Sequence, residues 1–203
     1  DSHTRARAFS SSSTRHPDVE SDAHLSPMLP ADPPAGYPES AQQWVELPTD
    51  DRILIRPIIP EDVERIAHAF EVGDVETIRT RFFTAAPPSD RPHIEYLANV
   101  DYVARFALFA IDGNGDSIGI SRYETSDEST AEVAIVVEEA WRKKGVGSVL
   151  VSALEPWSIA NGITTLDAIY LPENRAVERL LASLGYENRT LEDGIVTVTK
   201  HLA

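Results

Sequence analysis

Seven consecutive residues combine three cations with two glycines at the start of a helix-like apolar spacing. They are Arg142, Lys143, Lys144, Gly145, Val146, Gly147 and Ser148. Glycine lets a backbone turn sharply and come close to a ligand. The free N–H groups at the start of a helix bind phosphate oxygens, and the helix dipole strengthens that binding. The segment therefore predicts a phosphate-binding loop, and its three cations suit a ligand with several phosphates.

Two common glycine-loop motifs do not fit this segment. A P-loop needs the pattern GxxxxGK followed by Ser or Thr, which the sequence lacks. A dinucleotide fingerprint needs GxGxxG directly after a strand. Here Leu150 occupies the position of the third glycine, and residues 138–144 separate the loop from the strand before it.

The apolar spacing predicts the elements that would position this loop. Strands are expected at 52–58, 106–111, 117–124, 130–137, 164–170, 186–190 and 194–200, and helices at 60–71, 75–83, 93–100, 145–160 and 174–184. The run DGNGD at 112–116 predicts a hairpin. Pro156 lies inside a predicted helix and is expected to kink or shorten it. The order of elements predicts a mixed α/β sheet with helices packed on it.

Composition divides the chain into two parts. Residues 1–47 are rich in Pro and Ser, and their apolar residues show no period, so we expect an acidic and mostly irregular tail. Residues 48–203 hold the predicted domain. A few apolar residues of the tail could anchor it to the domain: Leu25, Met28, Leu29, Tyr37 and Trp44.

Charge and residue usage exclude several classes of function. The net charge of −15 disfavours nucleic-acid binding and favours cationic partners such as lysine side chains or small amines. The absence of Cys excludes a thiolate nucleophile, disulfides and Cys-based metal sites. No apolar run reaches the roughly 18 residues of a membrane span, and no signal peptide is visible. We therefore expect a cytoplasmic protein that needs neither a membrane nor a metal.

The loop and its surroundings resemble the GNAT acetyltransferases over roughly residues 51–200. Residues 142–147 match the family signature [Q/R]-x-x-G-x-[G/A], and a further strand and helix follow. The resemblance implies the GNAT fold, a mostly antiparallel sheet splayed between two parallel strands. It also implies acetyl-CoA as co-substrate, with its diphosphate on the loop. The pantetheine would lie in the gap and bond to the backbone of three residues: Ile135, Val136 and Val137.

Asn174 has two interpretations, which are compatible with each other. Together with Leu181 and the pair Gly185 and Tyr186, it resembles a later segment of the family in which an Asn contacts the cofactor. It also stands where a helix N-cap is expected, because its side chain can accept a bond from a backbone N–H of the first turn.

Glu132 is the candidate general base. An alkyl ammonium group must lose a proton before it can attack a thioester, and Glu132 is the single charge in the apolar run 131–137. Burial there would raise the pKa of Glu132 toward neutrality. The run also resembles the strand that carries the catalytic Glu of lysine acetyltransferases. Alternatively, Glu132 points outward from a sheet edge or pairs with an arginine such as Arg122.

The general acid is less well defined by the sequence. Many relatives place a Tyr seven residues after the Asn, where this chain has Leu181. Tyr170 or water could protonate the leaving thiolate, or the thiolate could leave unassisted. Because the chain has no Cys, we expect direct transfer without an acyl-enzyme. An N–H of the splayed strand would then meet the developing oxyanion.

A narrower resemblance points to the bacterial Pat-type protein lysine acetyltransferases. It rests on residues 81–83, 100–102, 121–123 and 131–133. It implies a protein lysine as acceptor and leaves a homodimer open. Larger members carry a regulatory domain, for which this chain has no room, so we expect a stand-alone transferase domain. Two alternatives stay open: acetylation of a small amine or drug, and a non-catalytic module that binds acyl-CoA.

Overall fold

The computed structural model describes residues 28–72 and 90–203. In these ranges eight strands form one sheet. The strands are β1 (Gln43–Glu46), β2 (Arg52–Pro57), β3 (Arg105–Ile111), β4 (Ser117–Thr125), β5 (Thr130–Val137), β6 (Thr165–Tyr170), β7 (Glu187–Glu192) and β8 (Ile195–His201). Seven of them match the predicted strands, and β1 was not predicted.

The sheet has the order β1-β2-β3-β4-β5-β6-β8-β7. Its neighbouring strands run antiparallel except for β5 and β6, which run parallel. The predicted hairpin joins β3 to β4. Asp112 Oδ1 holds this turn by accepting bonds from the N–H groups of Asn114 and Asp116, both at 2.9 Å. The predicted mixed sheet, mostly antiparallel, is thus confirmed.

Four α-helices lie in the described ranges: α1 (Val63–Val72), α2 (Arg91–Ala98), α3 (Val146–Ala160) and α4 (Arg175–Ser183). The predicted helix over 75–83 lies outside the described residues. Pro156 does not shorten α3, which continues to Ala160. Pro156 has no N–H, so the Ser152 carbonyl lacks its usual helical hydrogen bond. Ser152 is exposed, so water can bond to that carbonyl.

Helices cover both faces of the sheet. Alternate residues of β3 point to opposite faces, so Phe106 and Leu108 join one core while Ala107 and Phe109 join the other. On the first face α3 contributes Leu150 and Leu154. On the second face α1 contributes Ile66 and α2 contributes Ile94. The loop after β5 is therefore anchored by α3 on one face, whereas Glu132 on the other face of β5 is exposed.

Residues 28–47 belong to the predicted tail, and they pack against the domain. Met28 and Tyr37 are buried, and β1 extends the sheet at its edge. Leu47 is also buried. Trp44 is half-buried, with the Arg52 guanidinium 4.8 Å from its ring centroid, and Leu29 is exposed. The proposed anchor Leu25 lies outside the described residues, and the domain boundary at residue 47 stays a prediction.

A buried ion pair joins β2 to the start of α1. The Arg56 guanidinium donates two bonds of 2.7 Å to the Asp62 carboxylate, and both side chains are 4% exposed. Arg56 Nε donates to the Met28 carbonyl at 2.9 Å, and Asp62 Oδ2 accepts from the Ile59 N–H at 2.9 Å. This network fixes residue 28 and the turn before α1 to the same strand.

Candidate active site

The predicted phosphate loop connects β5 to α3. A short 3-10 helix, Glu139–Trp141, follows β5, and α3 begins at Val146. Gly145 caps that helix with φ of +99°, a left-handed conformation that glycine adopts without steric cost. A Cβ at this position would lie 3.1 Å from Pro48 Cδ, so the loop also packs closely on the segment before β2.

The first turn of α3 presents N–H groups that have no partner within the helix. The bond from the Val149 N–H to the Gly145 carbonyl, at 3.1 Å, begins the helical series. The N–H groups of Gly147 and Ser148 therefore point out of the helix end. Such groups, with the positive end of the helix dipole, favour an anion such as a phosphate.

The three cations before this turn have different surroundings. Arg142 and Lys143 are exposed, and Arg142 Nε donates to the Val137 carbonyl at 3.2 Å. Lys144 is half-buried, with its Nζ 4.2 Å from the Trp141 ring centroid and 3.7 Å from Asp51 Oδ2. Arg142 and Lys143 are therefore better placed than Lys144 to meet a phosphate in solution.

Gly147 lies where the loop meets both β5 and α4. A Cβ there would lie 3.1 Å from Leu180 Cδ2 and 3.5 Å from Ile135 Cδ1. A larger side chain would push α3 away from these neighbours. The glycine therefore keeps the end of α3 close to the open edge of β5.

A gap opens between β5 and β6 beside this helix end. The two strands pair from Thr130 opposite Thr165 only as far as Val133 opposite Ala168. The Glu138 N–H donates to the Ile118 carbonyl at 3.0 Å. In an antiparallel ladder every second residue exchanges hydrogen bonds with its partner, so Val136 exchanges them with Ile120 of β4. Ile135 and Val137 then direct their backbone groups into the gap. Of the three residues predicted to bind pantetheine, these two face the gap and Val136 faces β4. Binding of pantetheine to these residues stays a prediction.

Asn174 caps α4. Its Oδ1 accepts a bond of 3.2 Å from the Val177 N–H, as the N-cap interpretation predicts. The side chain is half-buried. Contact between its amide group and a cofactor stays a prediction.

Glu132 lies on β5 next to the point where the gap opens. It is exposed, whereas Ala131 and Val133 on either side are buried in the core beneath α3. The expected burial of Glu132 was wrong, because the alternation of the strand points this side chain to the face opposite α3. Its catalytic role stays a prediction.

A cleft of about 270 Å³ surrounds Glu132 on this face. It is lined by Arg122, Glu124, Thr125, Ser126, Glu132 and Ala134. Glu124 lies directly opposite Glu132 in the pairing of β4 and β5. The Tyr96 hydroxyl of α2 donates to Glu124, and this bond raises the pKa of Tyr96. Arg105 lies 4.5 Å from the centroid of the Tyr96 ring, so α2 is tied to the rim of the cleft.

Glu124 and the contact of α2 with this cleft were not predicted from the sequence. Arg122 was predicted only as an alternative partner of Glu132. The available signal was the alternation in β4, which places Arg122 and Glu124 on one face two residues apart. Only the strand register shows that both lie beside Glu132.

The position where relatives carry a Tyr offers no acid. Leu181 is 2% exposed and packs in the core. Tyr170, the other candidate acid, is buried at the end of β6. In the described ranges no group of three or more His, Asp or Glu residues could hold a metal ion. None of the helices there has the length and apolarity that crossing a membrane requires.

Comparison with known proteins identifies the family. A model of the acetyltransferase (GNAT) domain matches residues 52–187. The chain belongs to the GNAT acetyltransferase family. Acetyltransferase Pat of Mycolicibacterium smegmatis is 31% identical over 144 residues, which are 70% of this chain and 43% of that relative.

Two solved GNAT structures extend the comparison. The GNAT domain of S. lividans PAT matches with a TM-score of 0.77 and 29% identity, covering 82% of this chain and 99% of that one. The structure of yncA from Salmonella typhimurium with its cofactor acetyl-CoA has a TM-score of 0.58 at 19% identity. It covers 74% of this chain and 94% of that one, and the likeness is one of fold alone.

These findings confirm the expected GNAT fold and the resemblance to Pat-type acetyltransferases. The chain carries the acetyltransferase (GNAT) domain. It spans less than half of the length of the curated relative that it matches. The expectation of a stand-alone transferase domain therefore stays a prediction.

Proposed function

We propose that this GNAT acetyltransferase transfers the acetyl group of acetyl-CoA directly to the ε-amine of a protein lysine, with Glu132 as general base. The observation that carries the proposal is the position of Glu132 relative to the gap. Glu132 precedes Val133, the last residue of β5 that pairs with β6. The acceptor cleft and the gap therefore meet at this point of β5.

The gap and the loop suit the two ends of acetyl-CoA. The diphosphate would bind the outward N–H groups of Gly147 and Ser148, with Arg142 and Lys143 beside it. The pantetheine would run along the open edge of β5 and bond to the backbone of Ile135 and Val137. The thioester would then lie near Val133, a single strand position from Glu132.

The charges of the cleft suit a cationic acceptor. Glu124 and Glu132 lie opposite each other on adjacent strands, where two like charges repel. A lysine ammonium group between them would relieve this repulsion. The net charge of −15 would also attract a cationic surface from a distance.

The chemistry needs a single displacement step. Glu132 takes a proton from the ammonium group, and the amine nitrogen attacks the thioester carbonyl carbon. The attacking nitrogen then carries a positive charge and gives its second proton to water. The N–H of Ile135, which faces the gap, would stabilise the negative charge on the carbonyl oxygen. The C–S bond then breaks, the amide forms, and the thiolate takes a proton from water.

The shape of the cleft favours a lysine on a protein surface over a small amine. Ser126 and Glu132, two of its lining residues, are both exposed, so the cleft is open to a large partner. A small amine would leave much of this surface in contact with water. A closed pocket would favour a small acceptor, and the described residues that line the cleft do not enclose Glu132.

The proposal is tested by thiol release from acetyl-CoA, measured with lysine-bearing proteins and with small amines. We expect release that depends on the acceptor, with a higher kcat/KM for protein lysines. A higher kcat/KM for a small amine would contradict the choice of acceptor. Binding of acetyl-CoA without thiol release for any acceptor would contradict the proposal as a whole.

Replacing Gly145 by Ala is expected to weaken acetyl-CoA binding. The left-handed conformation costs a residue with a Cβ about 1–2 kcal/mol, and here the Cβ would also press on Pro48. Relief of this strain by movement of the loop would raise the Kd roughly 5- to 30-fold. Isothermal titration with acetyl-CoA measures the change.

Gly162→Ala provides the matched control for this variant. Gly162 has φ of +81° just after α3, and a Cβ there meets nothing within 4 Å. We expect a similar loss of stability with an unchanged Kd for acetyl-CoA. Equal Kd values for Gly145→Ala and the wild type would show that the loop does not hold the cofactor.

Two substitutions of Asn174 separate its two interpretations. Asn174→Asp keeps a good N-cap but loses the amide donor, whereas Asn174→Ala loses both and should cost about 1 kcal/mol of stability. If the amide contacts acetyl-CoA, both variants raise the Kd, and only Asn174→Ala lowers the melting temperature. An unchanged Kd for Asn174→Asp would leave Asn174 as a helix cap alone.

A further inference from the structure

Arg122 is a buried cation in the candidate acceptor cleft. Its surface is 6% exposed, and its Nη2 has no hydrogen-bond partner among the residues that the structure describes. Burial lowers the pKa of the Arg122 guanidinium, because water no longer stabilises its charge. A buried charge without a partner is strongly unfavourable. An anion that does not belong to residues 28–72 or 90–203 would therefore stabilise the Arg122 guanidinium.

The nearest carboxylate on β4 already has a different partner. Glu124 lies two residues after Arg122 on the same face and accepts a bond from the Tyr96 hydroxyl. Tyr96 is in turn covered by Arg105. Glu124 thus balances part of the charge of Arg122 at a distance but leaves its Nη2 without a bond.

Arg122 and Glu132 line the same cleft. In the pairing of β4 with β5, Arg122 lies opposite Ala134, and Glu124 lies opposite Glu132. Arg122 and Glu132 are therefore diagonal neighbours, about 7–8 Å apart along the sheet. Ala134, opposite Arg122, has a small side chain and lines the cleft with it. A ligand in the cleft can meet a carboxylate at one point and a guanidinium at another.

We propose that Arg122 binds a carboxylate of the acceptor while Glu132 receives its amine, so that the enzyme prefers lysines with an acidic residue two positions away. This inference rests on the proposed function. Side chains two residues apart on an extended peptide point the same way and are separated by about 6.5–7 Å. That separation matches the diagonal between Glu132 and Arg122. An arginine also binds a carboxylate through two parallel bonds, which makes the recognition directional.

The test compares two extended peptides that differ only in Asp or Asn two residues from the acceptor lysine. The wild type is expected to show a kcat/KM about 10- to 100-fold higher for the Asp peptide, as a charged hydrogen bond predicts. In Arg122→Gln the ratio of the two values falls to about one. Arg122→Lys keeps the charge but loses the planar fork, so its ratio lies between the two.

The ratio of kcat/KM for the Asp peptide to kcat/KM for the Asn peptide is measured with one enzyme at a time. A lower folded fraction of a variant reduces both values equally and does not change their ratio. If Arg122→Gln does not fold, as judged from its melting temperature and acetyl-CoA binding, Arg122→Lys and the wild-type ratio decide. A second pair of acceptors, Nα-acetyl-lysine and its amide, shows whether a free α-carboxylate is accepted in place of an acidic side chain. A preference for the acid in both pairs supports binding of any suitably placed carboxylate.

Three different results would contradict, in turn, the preference for an acidic residue, the assignment of that preference to Arg122, and the proposed function. Equal kcat/KM values for the Asp and Asn peptides in the wild type would overturn the preference and leave the proposed function intact. A preference that persists in Arg122→Gln would overturn the assignment to Arg122. No transfer to any acceptor, with acetyl-CoA bound, would overturn the proposed function and this inference with it.

Discussion

Glu132→Gln is expected to lower kcat for acetyl transfer by about 10²–10⁴-fold, the usual effect of removing a general base. The amide has nearly the shape of the carboxylate but cannot take the proton of the attacking ammonium group. Glu132 points into the cleft and not into the gap, so the Kd for acetyl-CoA should stay at its wild-type value. Thiol release measured with a lysine acceptor, together with titration of acetyl-CoA, checks both parts.

Glu128→Gln is the control for the change of charge. Glu128 is exposed in the turn before β5 and does not line the cleft. Glu128→Gln removes the same charge from the protein as Glu132→Gln does. Any general electrostatic effect on attraction of the acceptor therefore appears in both variants. Wild-type kcat in Glu132→Gln would show that another group, or water, removes the proton.

Asp62→Asn is expected to destabilise the fold by about 3–5 kcal/mol, the range for breaking one side of a buried ion pair. The substitution leaves the Arg56 guanidinium buried at 4% exposure without its counter-charge. For a domain of this size the melting temperature should fall by roughly 6–20 °C. Thermal unfolding followed by circular dichroism measures the change, and urea unfolding gives the free energy.

An exposed ion pair offers the matched comparison for Asp62. Glu64 accepts from Arg91 at 2.5 Å, but the two side chains are 76% and 57% exposed. Since water screens such a pair, Glu64→Gln should leave the melting temperature close to that of the wild type. If Asp62→Asn costs less than about 1 kcal/mol, the buried pair contributes no more than a surface pair does.

Local sequence was enough to locate the loop and most of the elements. The turn at Gly145 depends on a glycine, neighbouring cations and the start of an apolar helical spacing, all of which lie within a few residues. The same holds for the hairpin at 112–116 and for the cap at Asn174. Such features follow from backbone conformation and short-range hydrogen bonds, so the chain around them need not be known.

β1 was missed because its signal is weak. Only Trp44 and Val45 are apolar in its four residues, and polar residues stand at both ends. The strand forms because β2 offers an open edge and because the segment that contains it is held by Met28, Tyr37 and Leu47. Contacts of this kind join residues that are distant in sequence, so they do not appear in the local spacing.

The surroundings of Glu132 depended on the tertiary structure. Apolar neighbours suggested a buried carboxylate, and that suggestion was wrong because Glu132 lies on the face of β5 opposite α3, where it is exposed. Whether the opposite face is covered depends on where α1 and α2 pack, which the period of a single strand does not specify. The cleft lined by Arg122, Glu124 and Glu132 likewise follows from the register between β4 and β5.

The sequence by itself determined the order of most elements, the glycine loop and the family to which the chain belongs. Those properties depend on residue type and short-range spacing, which the chain carries in one dimension. The tertiary structure alone decided that residues 28–47 pack into the domain, that Ile135 and Val137 face the gap, and that Arg122 lies buried beside Glu132. These properties arise from strand register and helix packing, which bring together residues that the sequence keeps apart.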